Sequence, residues 1–264
     1  AGGGIWGCKG KISRCVIAGN TAVYGGGIAA CNGLILNCLI CNNQADYGGG
    51  IHNCDGSILN CTITQNTGTT QGVLNSCDGK LANCIVWGNT PDAFTNNTSV
   101  LTYCCWPEGT SGTGNISSDP GFISADDFHL AAGSGCIDTG LNTTAWLTVY
   151  EDLEGNFRPQ DGDRNGSEIA DMGAYEVPGF ARLMMTEPEG GELWAAGSVH
   201  RLAWESRNYE GTIGLSYSLN AGTDWLPIAD DIVNTGSYQW TVPDANSDQC
   251  LVAIAAHEEP AGID

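Results

Sequence analysis

The sequence predicts an all-β protein: a parallel β-helix of 23-residue coils with an irregular C-terminal cap, then a β-sandwich. Three observations predict it. A unit opening at Gly2, Gly25 and Gly48 recurs every 23 residues. Its apolar, cysteine and asparagine positions fall in columns and on no helical face. The composition then changes twice after the repeats end. A fixed period of this size marks a solenoid and outranks local propensity.

Residues 2–24 read GGGIWGCKGKISRCVIAGNTAVY, and 25–47, 48–70 and 71–93 repeat that pattern without insertion. A decayed fifth copy keeps Leu101, Cys104 and Trp106 at the spacing of Ile12, Cys15 and Ile17. Apolar columns run Ile5/Ile28/Ile51/Leu74, Ile12/Ile35/Ile58/Leu81 and Ile17/Ile40/Ile63/Val86. Their stretches are short, locally alternating and cut by Gly and Asn, which disfavours helical repeats. A coil of three short strands fits, each pairing in parallel with its equivalent one repeat on, roughly 4.8 Å away.

Like residues then stack. One asparagine column, Asn20/Asn43/Asn66/Asn89, is expected to chain its amides along the stack, and a second runs Asn37/Asn60/Asn83. Two cysteine columns, Cys8/Cys31/Cys54/Cys77 and Cys15/Cys38/Cys61/Cys84/Cys104, fill the interior with small polarisable side chains. Neighbours on adjacent parallel strands are badly placed for a disulfide, so stacked free thiols are expected. The glycine strings suit corners that need positive φ and close backbone approach.

The GGGI and NCxI strings resemble the right-handed parallel β-helix repeats of bacterial surface proteins, including polymorphic outer-membrane proteins and pectate-lyase-like solenoids. The resemblance covers about residues 2–106 and implies a fold, with no single function attached.

After Cys105 the period fails, and the Gly/Ser/Thr-rich stretch to Phe122 reads as a long loop. DPGF (119–122), DFHL (127–130), SGCIDTG (134–140), DLEGNFRP (152–159) and DMGAYE (171–176) follow in order. This string resembles the "choice-of-anchor Q" region that closes many bacterial β-helix surface proteins. It implies further irregular coils and a C-terminal cap over an open strand edge. Within it, Asp161-Gly-Asp163-Arg-Asn165-Gly166 presents oxygens in the order used by calcium loops. Asp161, Asp163 and Asn165 would ligate by side chain, with Asp171 a further candidate. The twelfth position of a full EF-hand loop is Met172, which argues against a true EF-hand. A smaller calcium loop and a simple acidic turn both remain open.

From Leu183 the runs HRLAW, TIGLSYSL, WLPIA, YQWTV and CLVAIA alternate and are separated by turns, as in a β-sandwich. Trp194, Trp204, Trp225 and Trp240 are its expected core anchors. PEGGELWAAGS (188–198) and NTGSYQWTVP (234–243) resemble the immunoglobulin-like domain of the Ser/Thr-rich, GPI-anchored wall-protein family and its bacterial relatives. The resemblance implies an Ig/fibronectin-like sandwich with one more strand, whose absence would leave an edge open to strand addition. The expected domains are therefore residues 1–118, 119–180 and 181–264. The chain opens within a repeat and ends abruptly, which reads as a piece of something longer.

Charge bounds the partners. The formal net charge is −21, and nearly all of it lies after residue 100. Nucleic acid and anionic membranes are thereby disfavoured, and no apolar run is long enough to span a bilayer. Divalent cations fit better, with calcium the one cofactor expected.

No nucleophile elbow, P-loop or zincin motif is present, and the four histidines form no pattern. The best carboxylate pair, Asp55 and Asp78, stands in a column Lys9/Asn32/Asp55/Asp78 in which each residue precedes a glycine. Turn chemistry explains that column better than acid–base catalysis. The sequence therefore points to a non-catalytic, extracellular or cell-surface structural or adhesive protein. Self-association by coil stacking or strand addition, or a surface or matrix polysaccharide, would supply its partner. The alternative is a carbohydrate-active or carbohydrate-binding protein with sugar held along a β-helix face.

Overall fold

The computed structural model describes residues 2–92, 94–107, 111–142 and 151–257, and every regular element in them is a strand. Among the described residues no helix is long and apolar enough to cross a membrane. The chain divides into two compact units, Ala1–Gly179 and Phe180–Asp264.

The first unit contains a parallel β-solenoid of about four coils. Equivalent strands pair in register: Ile28 with Ile51, Ile35 with Ile58, and Leu39 with Thr62. The second coil has four strands, not three: Ile28–Ala29, Ile35–Leu36, Leu39–Cys41 and Gln44–Tyr47. The extra break comes from the second asparagine column. Asn37, Asn60 and Asn83 have φ of 51°, 49° and 51°, so each turns a left-handed corner inside what reads as one apolar run. Asparagine tolerates that region better than other side chains. Ala30/Asn53/Ser76, Asn42/Gln65 and Gly25/Gly48 form the other left-handed corners.

The period also tightens. Leu74 pairs with Phe94 and Leu81 with Leu101, a spacing of 20 residues instead of 23. The missing three fall where the fourth strand would stand, and among the described residues a Thr67–Thr90 bridge takes its place. The glycines act as expected. A Cβ on Gly26 would lie 2.4 Å from the Gly49 carbonyl oxygen, and one on Gly56 would lie 1.9 Å from that of Gly33.

Ile35, Ile58, Leu81, Ile40, Ile63 and the two cysteine columns point inward and form one core. Side chains on either side of Ile40 point outward, yet Leu39 and Cys41 are also buried. That outer face needs a cover, and the next segment supplies it.

Residues 111–118 add one rung, with Ile116 bridging Cys105. Beyond it, described residues of the next segment lie along the side of the solenoid. Arg14 pairs with Glu151, and Asn37 Nδ2 donates to the Glu151 carbonyl at 2.5 Å. Ala174 N donates to Thr62 Oγ1 at 2.9 Å, and Leu141 N to Asn83 Oδ1 at 2.8 Å. The segment thus touches all four coils. Phe128 and Tyr175 pack on Leu39 and Cys41, while Leu130, Cys136 and Met172 pack on Ile85 and Cys105. Coverage falls on the flank because the uncovered apolar area lies there.

The second unit holds two three-stranded antiparallel sheets. One orders Arg182–Glu187, Val199–Arg207 and Ser237–Thr241; the other orders Leu226–Ile232, Ile213–Ser218 and Leu251–Ala256. Leu202, Trp204 and Trp240 from the first meet Ile213 and Leu215 from the second in one core. Trp194 packs against its edge. Trp225 is no anchor: it stands just before an edge strand and is 43% exposed.

Candidate metal centre

The predicted cation loop folds on its own backbone. Asp161 accepts the Asn165 and Gly166 N–H groups at 2.9 and 3.0 Å, through its two carboxylate oxygens. Asp163 Oδ1 accepts the Asn165 N–H at 3.0 Å, and Asn165 Nδ2 donates to Asp163 Oδ2 at 2.8 Å. Gly166, at φ 95°, closes the turn that no side-chain-bearing residue adopts readily. Asn165 therefore points its amide donor at Asp163, and its oxygen accepts from Ser167 N–H at 2.9 Å.

The third carboxylate comes from elsewhere. Asp138, Asp161 and Asp163 each bring one oxygen within 4.8 Å of the others. Asp138 is buried and accepts the Gly162 and Asp163 N–H groups at 3.2 and 2.8 Å. Burial, with the Asp163 carboxylate beside it, pushes Asp138 up to about 6. Three hard oxygens at this separation can converge on one divalent cation.

Asp171, the fourth ligand expected from sequence, lies outside this group. It is fully buried, and its two oxygens accept the Asp138 and Val177 N–H groups at 2.8 and 2.6 Å. Its role is to fix the turn that carries Asp138. Burial raises Asp171 to about 6 as well.

Behind the loop lies a buried polar network that sequence reasoning did not single out. Arg158 Nε sits 2.7 Å from Glu176 Oε2, and both side chains are essentially inaccessible. The same guanidinium donates to the Gly173 and Tyr175 carbonyls at 2.9 and 2.7 Å. Glu176 accepts the Gln160 and Asp171 N–H groups. Burial pushes Glu176 up to about 8, against the pull of Arg158. Asp152 accepts three successive N–H groups of its own turn, from Glu154, Gly155 and Asn156, and that of Glu176. These residues stand in the strings DLEGNFRP and DMGAYE, and Asp138 in SGCIDTG. Charged residues held among apolar ones were the available signal.

The stacked columns take the expected places. Asn20 Nδ2 donates to Asn43 Oδ1, Asn43 Nδ2 to Asn66 Oδ1, and Asn66 Nδ2 to Asn89 Oδ1, at 2.9, 2.9 and 3.0 Å. The cysteines are free thiols. Cys31, Cys54 and Cys77 in one column donate to the carbonyl two residues earlier, as do Cys15, Cys38, Cys61, Cys84 and Cys104 in the other. Cys8 begins the first column, its N–H donating to Cys31 Sγ at 3.2 Å. Burial pushes the Cys61 and Cys104 thiols well up, which keeps them protonated and unreactive.

Asp55 and Asp78 stack as predicted. Asp78 N–H donates to Asp55 Oδ1 at 3.3 Å, and Asp55 N–H to Asn32 Oδ1 at 3.1 Å. Asp78 Oδ1 also accepts the Thr98 N–H and hydroxyl. The column serves the turn, with each side chain satisfying the backbone of the next coil.

Comparison with protein-family models, with curated proteins and with solved structures found no match to this chain.

Proposed function

We propose that this chain is a non-catalytic, extracellular or cell-surface protein with a structural or adhesive task. The observation that carries the reading is the employment of its carboxylates. The stacked pair Asp55/Asp78 serves backbone N–H groups, and the apolar flank is covered by Phe128 and Tyr175. A lyase or hydrolase working on that flank needs an open strand face with unengaged acids. In-register stacking of short strands yields a stiff body, suited to holding things apart or together.

The finer fold assignments belong to the same proposal: right-handed winding of the solenoid, kinship of residues 119–177 with the choice-of-anchor Q region, and an Ig/fibronectin-like second unit. For the last, the support is strand order. Numbered within the unit, strands 1, 2 and 5 form one sheet and 4, 3 and 6 the other, as in sandwiches of that kind. The extra strand that the resemblance implies would fall after Ala256, beyond the described residues. Among the described residues Leu251–Ala256 is an edge strand, the place where strand addition would occur.

Calcium is the proposed cation, held by Asp138, Asp161 and Asp163, with Asn165 and Asp171 in supporting positions. It would pull three like charges together and fix the Asp161–Gly166 turn.

The test uses the full chain. Incubation with polyuronates and neutral polysaccharides should release no new reducing ends or unsaturated products, and sedimentation should show concentration-dependent association. Any turnover of a polysaccharide, or a strictly monomeric protein at all concentrations, refutes the corresponding half.

A further inference from the structure

The second unit contains a cavity of about 390 Å³ that the reading above does not use. Its walls carry three aromatic rings, Trp194, Tyr217 and Trp240, and its rim carries Asn246 and Glu189. We infer that this cavity binds a saccharide ring that carries no acidic group. The inference deepens the adhesive reading by naming a ligand class.

The aromatic platform is preorganised. Trp194 stacks on His200 with centroids 4.3 Å apart and planes 9° from parallel. His200 Nε2 is in turn 2.9 Å from Ser198 Oγ. Trp240 meets Trp194 edge-on at 6.0 Å, and Tyr217 lies tilted against Trp240 at 5.4 Å. One face of Trp194 is thus taken and the ring held in place, so binding costs little ordering of the side chain. The loop before it is fixed as well: Glu192 accepts the Glu189 and Gly190 N–H groups at 2.7 and 2.9 Å. Glu192 is therefore engaged in its own turn, which leaves Glu189 and Asn246 to face a ligand.

Charge and polarity select the ligand. No lysine, arginine or histidine lines the cavity, so an anion such as a uronate or a phosphate finds no counter-charge. A wholly apolar guest would desolvate Glu189 and Asn246 without giving them a partner. A pyranose offers both requirements: an axial C–H face for an aromatic ring, and equatorial hydroxyls for a carboxylate and an amide. The volume suits one or two such rings.

The test titrates the full chain with methyl glycosides and short oligosaccharides of neutral and amino sugars, and with oligouronates. Tryptophan fluorescence and protein NMR supply the readout. Neutral or amino sugars should bind in about the millimolar range, with shifts centred on Trp194, Trp240 and Asn246. Trp194→Ala should weaken binding by roughly tenfold or more. Since that variant disturbs packing on His200, the exposed pair Glu189→Ala and Asn246→Ala supplies a second variant. It should lower affinity with an unchanged melting temperature. The inference is overturned if no uncharged or amino sugar binds at about 10 mM. It is equally overturned if only oligouronates or hydrophobic peptides bind, or if the shifts map away from the cavity. Absence of binding leaves the structural reading intact, whereas cleavage of an oligosaccharide sinks that reading and not the site.

Discussion

Removing one amide from the middle of the asparagine stack should cost far more than removing one from its first position. Asn66 Oδ1 accepts both the backbone N–H and the side-chain Nδ2 of Asn43, at 3.0 and 2.9 Å. Its own Nδ2 donates to the Ile40 and Thr64 carbonyls and to Asn89 Oδ1. Asn66→Ala leaves the buried Asn43 N–H without its acceptor, at about 1–3 kcal/mol, and forfeits two inter-coil bonds at about 1 kcal/mol each. The Asn43 Nδ2 keeps the Ile17 carbonyl and adds little to that sum. The expected loss is about 3–5 kcal/mol, a large part of the stability of an ordinary domain. Asn20→Ala is the control. Asn20 donates to Asn43 Oδ1 and Ala18, and Asn43 Oδ1 retains the Asn20 N–H at 2.9 Å. Its loss should cost about 1 kcal/mol. Equilibrium urea unfolding, read by hydrogen exchange in solenoid peptides, separates this transition from that of the second unit. If the two variants differ by less than about 0.5 kcal/mol, the amides are not carrying the stack.

Three further outcomes test other parts of the structure. Gly56→Ala should destabilise the solenoid by several kcal/mol, because its Cβ meets the Gly33 carbonyl oxygen at 1.9 Å. Gly10→Ala in the same column meets nothing within 4 Å and should be nearly silent in the same unfolding assay. Arg158→Met should cost about 3–5 kcal/mol by leaving Glu176 buried without its partner, and adding Glu176→Leu should not recover it, because the Gln160 and Asp171 N–H groups then lose their acceptor, as thermal melts will show. For the acidic loop the sign follows from a raised carboxyl. Asp138 favours the protonated form when folded, so its contribution to stability is present below about pH 4 and lost as pH rises through about 6. Wild-type protein should therefore lose more stability than Asp138→Asn between pH 4 and 7, and calcium should raise the melting temperature at pH 7 but not at pH 5. Equal pH profiles for the two proteins would show that Asp138 does not titrate in this window.

Much of the first unit is legible in the sequence. Repetition places Ile35 over Ile58 and Asn43 over Asn66 because a strict period leaves no other way to stack equal coils. The number of strands per coil was not legible. Asn37 and Asn43 are the same residue type in the same repeat. Yet Asn37 turns a left-handed corner with its amide outward to Glu151, and Asn43 points inward to its ladder. Composition does not separate those uses, since both suit asparagine. The candidate cation site was half legible: Asp161 and Asp163 lie in one loop, but Asp138 arrives from more than twenty residues away.

The sequence alone determined the coil, its columns and the demand for glycine between stacked backbones. Those follow from a local rule repeated at fixed intervals, and a repeated rule is visible as periodicity. Only the tertiary structure decided that residues 119–142 and 151–177 lie along the flank and which carboxylates meet there. That placement depends on apolar area left exposed by Leu39 and Cys41, which Phe128 and Tyr175 cover, and by Ile85, which Leu130 and Met172 cover, all partners distant in sequence. Burial of such surface is non-directional, so no local pattern records where along the chain its cover will come from.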